Sequence, residues 1–111
     1  MKSLFKKIID GELAAEKVFE NERLLAIKDK YPIAPVHLLI IPKKQIPSLQ
    51  KMAKADLALM AEIVEVAQKL AEEFKVADGY RLLTNNGASA GQSIFHLHFH
   101  LIGGRQLGAM G

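Results

Sequence analysis

The chain has no cysteine, so neither disulfides nor thiolate chemistry is open to it, an absence that agrees with a reducing compartment. Long apolar runs are missing as well, and nothing approaches the roughly 20 residues needed to span a membrane. Met1 to Asp10 has the outline of a signal peptide. Lys6 and Lys7 interrupt its apolar pieces and Asp10 closes them, which leaves nothing of the required hydrophobic length. Charge of one sign is scarce. The formal net charge is +3, and the lysines are scattered without a long basic block or interleaved aromatics. That pattern lacks what single-stranded nucleic acid needs, while a mildly positive field suits a small anionic ligand as well as a polymer, so charge alone does not decide. The expectation is a soluble, cytoplasmic protein with neither membrane nor nucleic-acid partners.

What is present is globular. Of 111 residues, 50% are hydrophobic and 24% charged, enough to bury one core, and residues 1–111 read as one domain without repeat or linker. Ser3 can cap a short helix over Leu4 to Ile9, with Gly11 placed to end it. Lys17 to Glu20 alternates like a strand, and a polar turn leads to a second strand over Leu24 to Asp29. Pro32 and Pro35 mark a loop. Val36 to Ile41 is apolar on both alternations, as a central strand covered on both faces should be, and His37 is its only polar side chain. Ala55 to Phe74 reads as the one long helix. Leu57, Met60, Val64, Ala67 and Ala71 form one stripe; Leu59, Ile63, Val66, Leu70 and Phe74 form another on nearly the opposite side. One stripe can pack on the sheet and the other against a second subunit, so a homodimer is expected. After Asp78-Gly79 comes a strand at Tyr80 to Thr84, a loop of small and polar residues from Asn85 to Ser93, and a last strand from Ile94 to Ile102 ended by Gly103-Gly104. The fold class is α+β: a largely antiparallel five-stranded sheet with one long and one short helix.

Chemistry concentrates at the end of the chain. Of four histidines, three stand at 96, 98 and 100, alternating with Leu97, Phe99 and Leu101. Side chains alternate along extended backbone, so the three imidazoles share one face. Each buried ring needs hydrogen-bond partners, and three in a row need a network, which is costly for a purely structural strand. A metal site is one reading: His96 with His98, or His98 with His100, could supply two ligands, completed by His37 or a carboxylate. The outer pair, roughly 13 Å apart along a strand, cannot easily converge on one ion, and cysteine is absent. Zinc is therefore the less favoured reading, and no cofactor is required. The favoured reading is nucleophilic attack on phosphorus by an imidazole whose far nitrogen is anchored, with loop amides and the Ser93 hydroxyl around the phosphate.

Gly91-Gln92-Ser93-Ile94-Phe95-His96-Leu97-His98-Phe99-His100-Leu101-Ile102-Gly103-Gly104-Arg105 resembles the signature of the histidine triad (HIT) family, in particular its histidine triad nucleotide-binding (Hint) branch. The likeness extends over Leu4 to Gly11, Asp29 through Pro35-Val36-His37, Ile41-Pro42 and Gly79-Tyr80-Arg81. This resemblance implies a HIT-like fold, a homodimer with the sheet continued across it, a purine nucleotide ligand, and hydrolysis of nucleoside phosphoramidates or aminoacyl-adenylates. Dinucleoside-polyphosphate hydrolysis is the nearest enzymatic alternative, and a non-catalytic nucleotide- or zinc-binding interaction protein the other. Carried over by position, His98 is the nucleophile, His100 contacts the α-phosphate, and Ser93 bonds the phosphate or leaving group. Gly91 and Gln92 lend backbone contacts, and His96 and His37 form a pair that orients or relays protons. Asp29 holds the ribose hydroxyls, Asn85 is a polar contact near ribose and phosphate, and Phe99 and Lys30 complete the nucleotide-binding set. Lys30 departs from the apolar residue common there, and its methylene stem can cover sugar or base. The tail after Arg105 lacks the tryptophan found in some relatives.

Overall fold

The computed structural model describes residues 1–111. Its elements follow as α1 (Leu4–Ile9), β1 (Lys17–Glu20), β2 (Leu24–Lys28), β3 (Val36–Pro42), α2 (Ala58–Glu73), β4 (Tyr80–Leu83) and β5 (Phe99–Gly103). The five strands form one sheet in the order β1-β2-β3-β5-β4, and every neighbouring pair is antiparallel. The doubly apolar strand β3 is indeed central. Its alternation sends Leu38 and Ile40 to a core under α2, and Leu39 and Ile41 to a smaller cluster under α1. On β2, Leu24 and Ala26 join the first cluster while Leu25 and Ile27 join the second. The sheet is thus clad by a helix on each face. No helix is long and apolar enough to cross a membrane.

Two boundaries depart from the sequence reading. The long helix begins at Ala58 rather than Ala55, because Lys54–Asp56 is a 3-10 turn whose Asp56 carboxylate accepts the Ala53 amide at 3.3 Å. It ends at Glu73, and beyond its Phe74 cap Lys75 takes a left-handed φ of 60°, with the Val76 amide donating back to the Ala71 carbonyl at 2.8 Å. The last strand begins at Phe99, not Ile94, so His96 and His98 precede it. The backbone there is bonded elsewhere: the Leu97 amide donates to the Ile46 carbonyl at 2.6 Å, and the His98 carbonyl accepts the Thr84 hydroxyl at 2.7 Å. The alternation survives without the ladder. Leu97, Phe99 and Leu101 all enter the α2-side core.

α2 buries Leu59, Ile63, Val66, Ala67, Leu70 and Ala71. The stripe of Leu57, Met60, Val64, Ala67 and Ala71 is divided. Ala67 and Ala71 are buried, whereas Leu57 is 52% and Val64 42% exposed.

Candidate functional site

The histidines lie on the α1 side of the sheet, where the Phe5 ring meets His96 and His98 edge-on at 6.0 and 4.9 Å between centroids. Each imidazole is held differently, and the partners fix its tautomer. His96 is fully buried; its Nε2–H donates to the Pro42 carbonyl at 2.7 Å, and its Nδ1 accepts the Ser3 hydroxyl at 2.6 Å. Ser3 also accepts the Lys6 amide at 2.9 Å, so one hydroxyl caps α1 and anchors the ring. With both nitrogens occupied by Ser3 and Pro42, His96 bonds neither His37 nor a group lining the cavity through its ring. It acts through its backbone, because the His98 Nδ1–H donates to the His96 carbonyl at 2.7 Å. That bond leaves the His98 Nε2 lone pair unprotonated, and His98 lines a cavity.

His100 has the opposite tautomer. The Ile33 amide donates to His37 Nδ1 at 3.2 Å, so His37 carries its proton on Nε2. This Nε2–H faces His100 Nδ1 at 2.9 Å and the Asp29 carboxylate at 3.3 Å. His100 Nδ1 is then an acceptor and its Nε2 a donor. Asp29 is positioned in turn by the Tyr31 amide, which donates to its carboxylate at 2.8 Å. His37 and His96, expected to work as a pair, are therefore separate: His37 serves His100, and His96 serves His98. No buried side-chain nitrogen or oxygen lacks a partner.

Burial sets the charge state. It pushes His98 and His96 below the ordinary imidazole range, against the raising pull of the His96 and Pro42 carbonyls respectively. Burial also lowers His37, opposed by the Asp29 carboxylate. His100, buried and beside His98 and His37, is held down to about 4. All four rings are neutral at pH 7, which suits one ring for attack and another for donating to an anionic oxygen.

The cavity beside them has a volume of about 960 Å³ and combines an apolar end with a polar one. Phe5, Ile8, Leu13, Ile27 and Leu39 supply the apolar wall; Asp29, Lys30, Ser93, His98 and His100 supply the polar end. A volume of this order accommodates a nucleotide-sized ligand. Ser93 is exposed at the rim.

The remaining expected site residues are placed differently. The Phe99 side chain is buried under α2 in the core, away from the imidazoles, so a ligand can meet only its backbone. The Gln92 side chain is 4% exposed and fully used inside the loop, accepting the Gly87 amide and donating to the Pro47 and Ile94 carbonyls. It braces the loop that presents Ser93. Gly91, at φ +99°, gives that loop a left-handed turn, and Asn85 packs beneath it, where an added Cβ would lie 3.7 Å from the Asn85 amide nitrogen. Neither Asn85 nor Gly91 lines the cavity. Sequence reasoning missed Ser3 as an anchor of His96, Phe5 as the ring against His98, and the Ile33 amide. Ser3 was legible only as a helix cap.

Asp29, His37 and His100 also place one ligating atom each within 4.8 Å of the others. This is not the pairing that alternation along a strand suggests, because it joins β3, β5 and the loop after β2.

Comparison with known proteins agrees with this geometry. The HIT domain family model matches residues 10–107. A HIT-like protein of Chlamydia pneumoniae is 59% identical over 108 residues, covering 97% of this chain and 98% of that one. A HIT family hydrolase from Clostridium thermocellum superposes with a TM-score of 0.93 at 45% identity, covering 97% of this chain and 95% of the other. A HIT family hydrolase from Legionella pneumophila does so with a TM-score of 0.91 at 45% identity, covering 95% of each chain. The fold, the histidine cluster and these similarities together establish that the chain belongs to the HIT domain family.

Proposed function

We propose that the chain is a purine nucleotide-binding hydrolase of the Hint type that cleaves nucleoside 5′-phosphoramidates at the P–N bond, or aminoacyl-adenylates, through a nucleotidyl-His98 intermediate. The observation that carries this reading is the hydrogen bond from His98 Nδ1–H to the His96 carbonyl, which leaves Nε2 as a bare nucleophile at the polar end of the cavity. The base lies against the Phe5, Ile8 and Ile27 wall, Asp29 accepts from the ribose hydroxyls, and the Lys30 stem covers the sugar. The His98 Nε2 lone pair forms a bond to the α-phosphorus. The bond from phosphorus to the leaving nitrogen breaks, and that nitrogen departs with its electron pair and takes a proton from solvent water. His100 Nε2–H and the Ser93 hydroxyl donate to the phosphate oxygens, where charge develops. The His96 carbonyl accepts from Nδ1–H without removing its proton, so the nucleotidylated ring stays cationic and departs as neutral imidazole. Water then attacks phosphorus and loses a proton to solvent, the bond to His98 breaks with its electron pair returning to Nε2, and the nucleotide leaves.

The catalytic unit is a homodimer in this reading. The outer side of β4 is a sheet edge, and Val64 on α2 and Leu57 just before it are exposed, which offers apolar and backbone surface for a second copy. Light scattering on the purified protein tests this directly, with twice the chain mass expected.

A second reading rests on the Asp29, His37 and His100 cluster, which has a donor set that zinc accepts. A metal there would displace the hydrogen bond between the two rings, so zinc would inhibit turnover, and metal analysis of untagged protein would find it at stoichiometry. The assay that separates the enzymatic readings compares AMP release from adenosine 5′-phosphoramidate with cleavage of diadenosine polyphosphate. Preference for the phosphoramidate supports the proposal. Preference for the dinucleotide moves the assignment to polyphosphate hydrolysis, and AMP binding without turnover moves it to a binding module.

A further inference from the structure

The Gly103-Gly104-Arg105 segment has no part in the reaction described above, yet it reaches the histidine cluster through the backbone. The Arg105 guanidinium donates twice to the Ile33 carbonyl, from Nε at 3.2 Å and Nη2 at 2.9 Å. The same Ile33 presents its amide to His37 Nδ1 at 3.2 Å, and His37 Nε2 faces His100 Nδ1 at 2.9 Å. Arg105 is delivered there by Gly104, whose φ of +96° turns the chain out of β5; an added Cβ would lie 3.0 Å from Pro35 Cβ. The loop from Tyr31 to Pro35 is otherwise open. Tyr31 is 78% and Ile33 61% exposed, so side-chain packing does little to hold the Ile33 peptide in place.

We propose that Arg105 is a positioning residue for the hydrolytic reaction: by holding the Ile33 carbonyl it pins the Tyr31 to Pro35 loop, keeps the Ile33 amide on His37 and so fixes His100 as a donor at Nε2. The logic is one of tautomers. The Ile33 carbonyl and amide belong to the two peptides on either side of the Ile33 Cα, so an anchor on the carbonyl holds that Cα, and with it the start of the amide's path to His37, against movement of the open loop. With that amide on Nδ1, His37 must carry its proton on Nε2, and His100 must then accept at Nδ1 and donate at Nε2. Should the amide swing away, His37 can protonate at Nδ1 and accept from His100 Nδ1–H. His100 would then turn a lone pair, not a proton, toward a phosphate oxygen. Asp29 favours the same His37 tautomer from its side, so Arg105 is one of two restraints rather than the sole one.

This inference rests on the proposed function for its kinetic consequence but not for its structural one, and the experiment reads both. Nitrogen-15 NMR of the imidazoles in the ligand-free protein reports which ring nitrogen carries the proton. The wild type should show His100 protonated at Nε2. Arg105→Gln should show a mixture of both tautomers, with kcat for the phosphoramidate lowered roughly fivefold, as expected when about four rings in five carry the wrong tautomer. KM should change less than twofold, and Arg105→Lys, which can donate singly to the same carbonyl, should recover part of the loss. An unchanged His100 tautomer in Arg105→Gln overturns the proposal, whether or not activity or stability falls. A wild type that does not turn over the phosphoramidate, with the tautomer shift still seen, refutes the proposed reaction and leaves the clamp intact.

Discussion

Ser3 holds together two parts of the molecule that sequence places 93 positions apart, and its loss should be measurable as a stability defect of defined size. Its hydroxyl donates to His96 Nδ1 at 2.6 Å and accepts the Lys6 amide at 2.9 Å. Ser3→Ala removes both bonds. Loss of a helix cap costs about 1 kcal/mol. His96 is fully buried, so its orphaned nitrogen adds roughly 1–3 kcal/mol of uncompensated desolvation. The expected total is about 2–4 kcal/mol, which lowers Tm by roughly 8–16 °C in a domain of this size. Urea unfolding at fixed protein concentration should show the midpoint falling with the slope unchanged. Ser3→Thr, which keeps the hydroxyl, should remain within about 0.5 kcal/mol of the parent. A loss below 1 kcal/mol for Ser3→Ala would refute the reasoning, because it would mean that the buried nitrogen finds another partner at no cost. Since α1 carries Phe5 against His98, the variant should also raise KM more than it lowers kcat.

Two further outcomes follow from single residues. The folded-state pKa of His100 lies below its unfolded value, so the unfolded chain binds the extra proton. This contribution to stability is complete above pH 6.5 and is lost as pH falls toward about 4. Between pH 7 and pH 5 His100 alone should remove roughly 2 kcal/mol, and His37, His96 and His98 act in the same direction. A denaturation midpoint flat over that interval would contradict neutral burial. Lys75 holds a φ of 60° at the end of α2, so Lys75→Gly should raise stability by about 1 kcal/mol in the same unfolding assay, and a decrease would show that the lysine side chain contributes more than its backbone strain costs.

Much of the architecture could be read from pattern because burial and period agree. Val36 to Ile41 is apolar at every position but His37, and only a strand between two covered faces accommodates that. The alternation of His96, His98 and His100 with Leu97, Phe99 and Leu101 likewise assigned the two faces correctly. It did not reveal where the ladder stops, because the Leu97 amide and His98 carbonyl bond to Ile46 and Thr84, partners remote in sequence. The same limit applies within the site. Period two places the rings on one face, but their tautomers are decided by the Pro42 carbonyl, the Ser3 hydroxyl and the Ile33 amide, none of which leaves a periodic trace. For that reason the expected coupling of His37 with His96 was replaced by His37 with His100. Phe99 and Gln92 carry motif positions whose side chains serve packing and loop shape rather than a ligand.

The central claim is that His98 becomes covalently nucleotidylated, and the most direct measurement is mass spectrometry of protein quenched during turnover of adenosine 5′-phosphoramidate. One adenylyl group is expected on the peptide containing His98 in the wild type. His98→Ala should be folded, with neither adduct nor AMP release. Turnover that persists in His98→Ala, or an adduct on another residue, would contradict it.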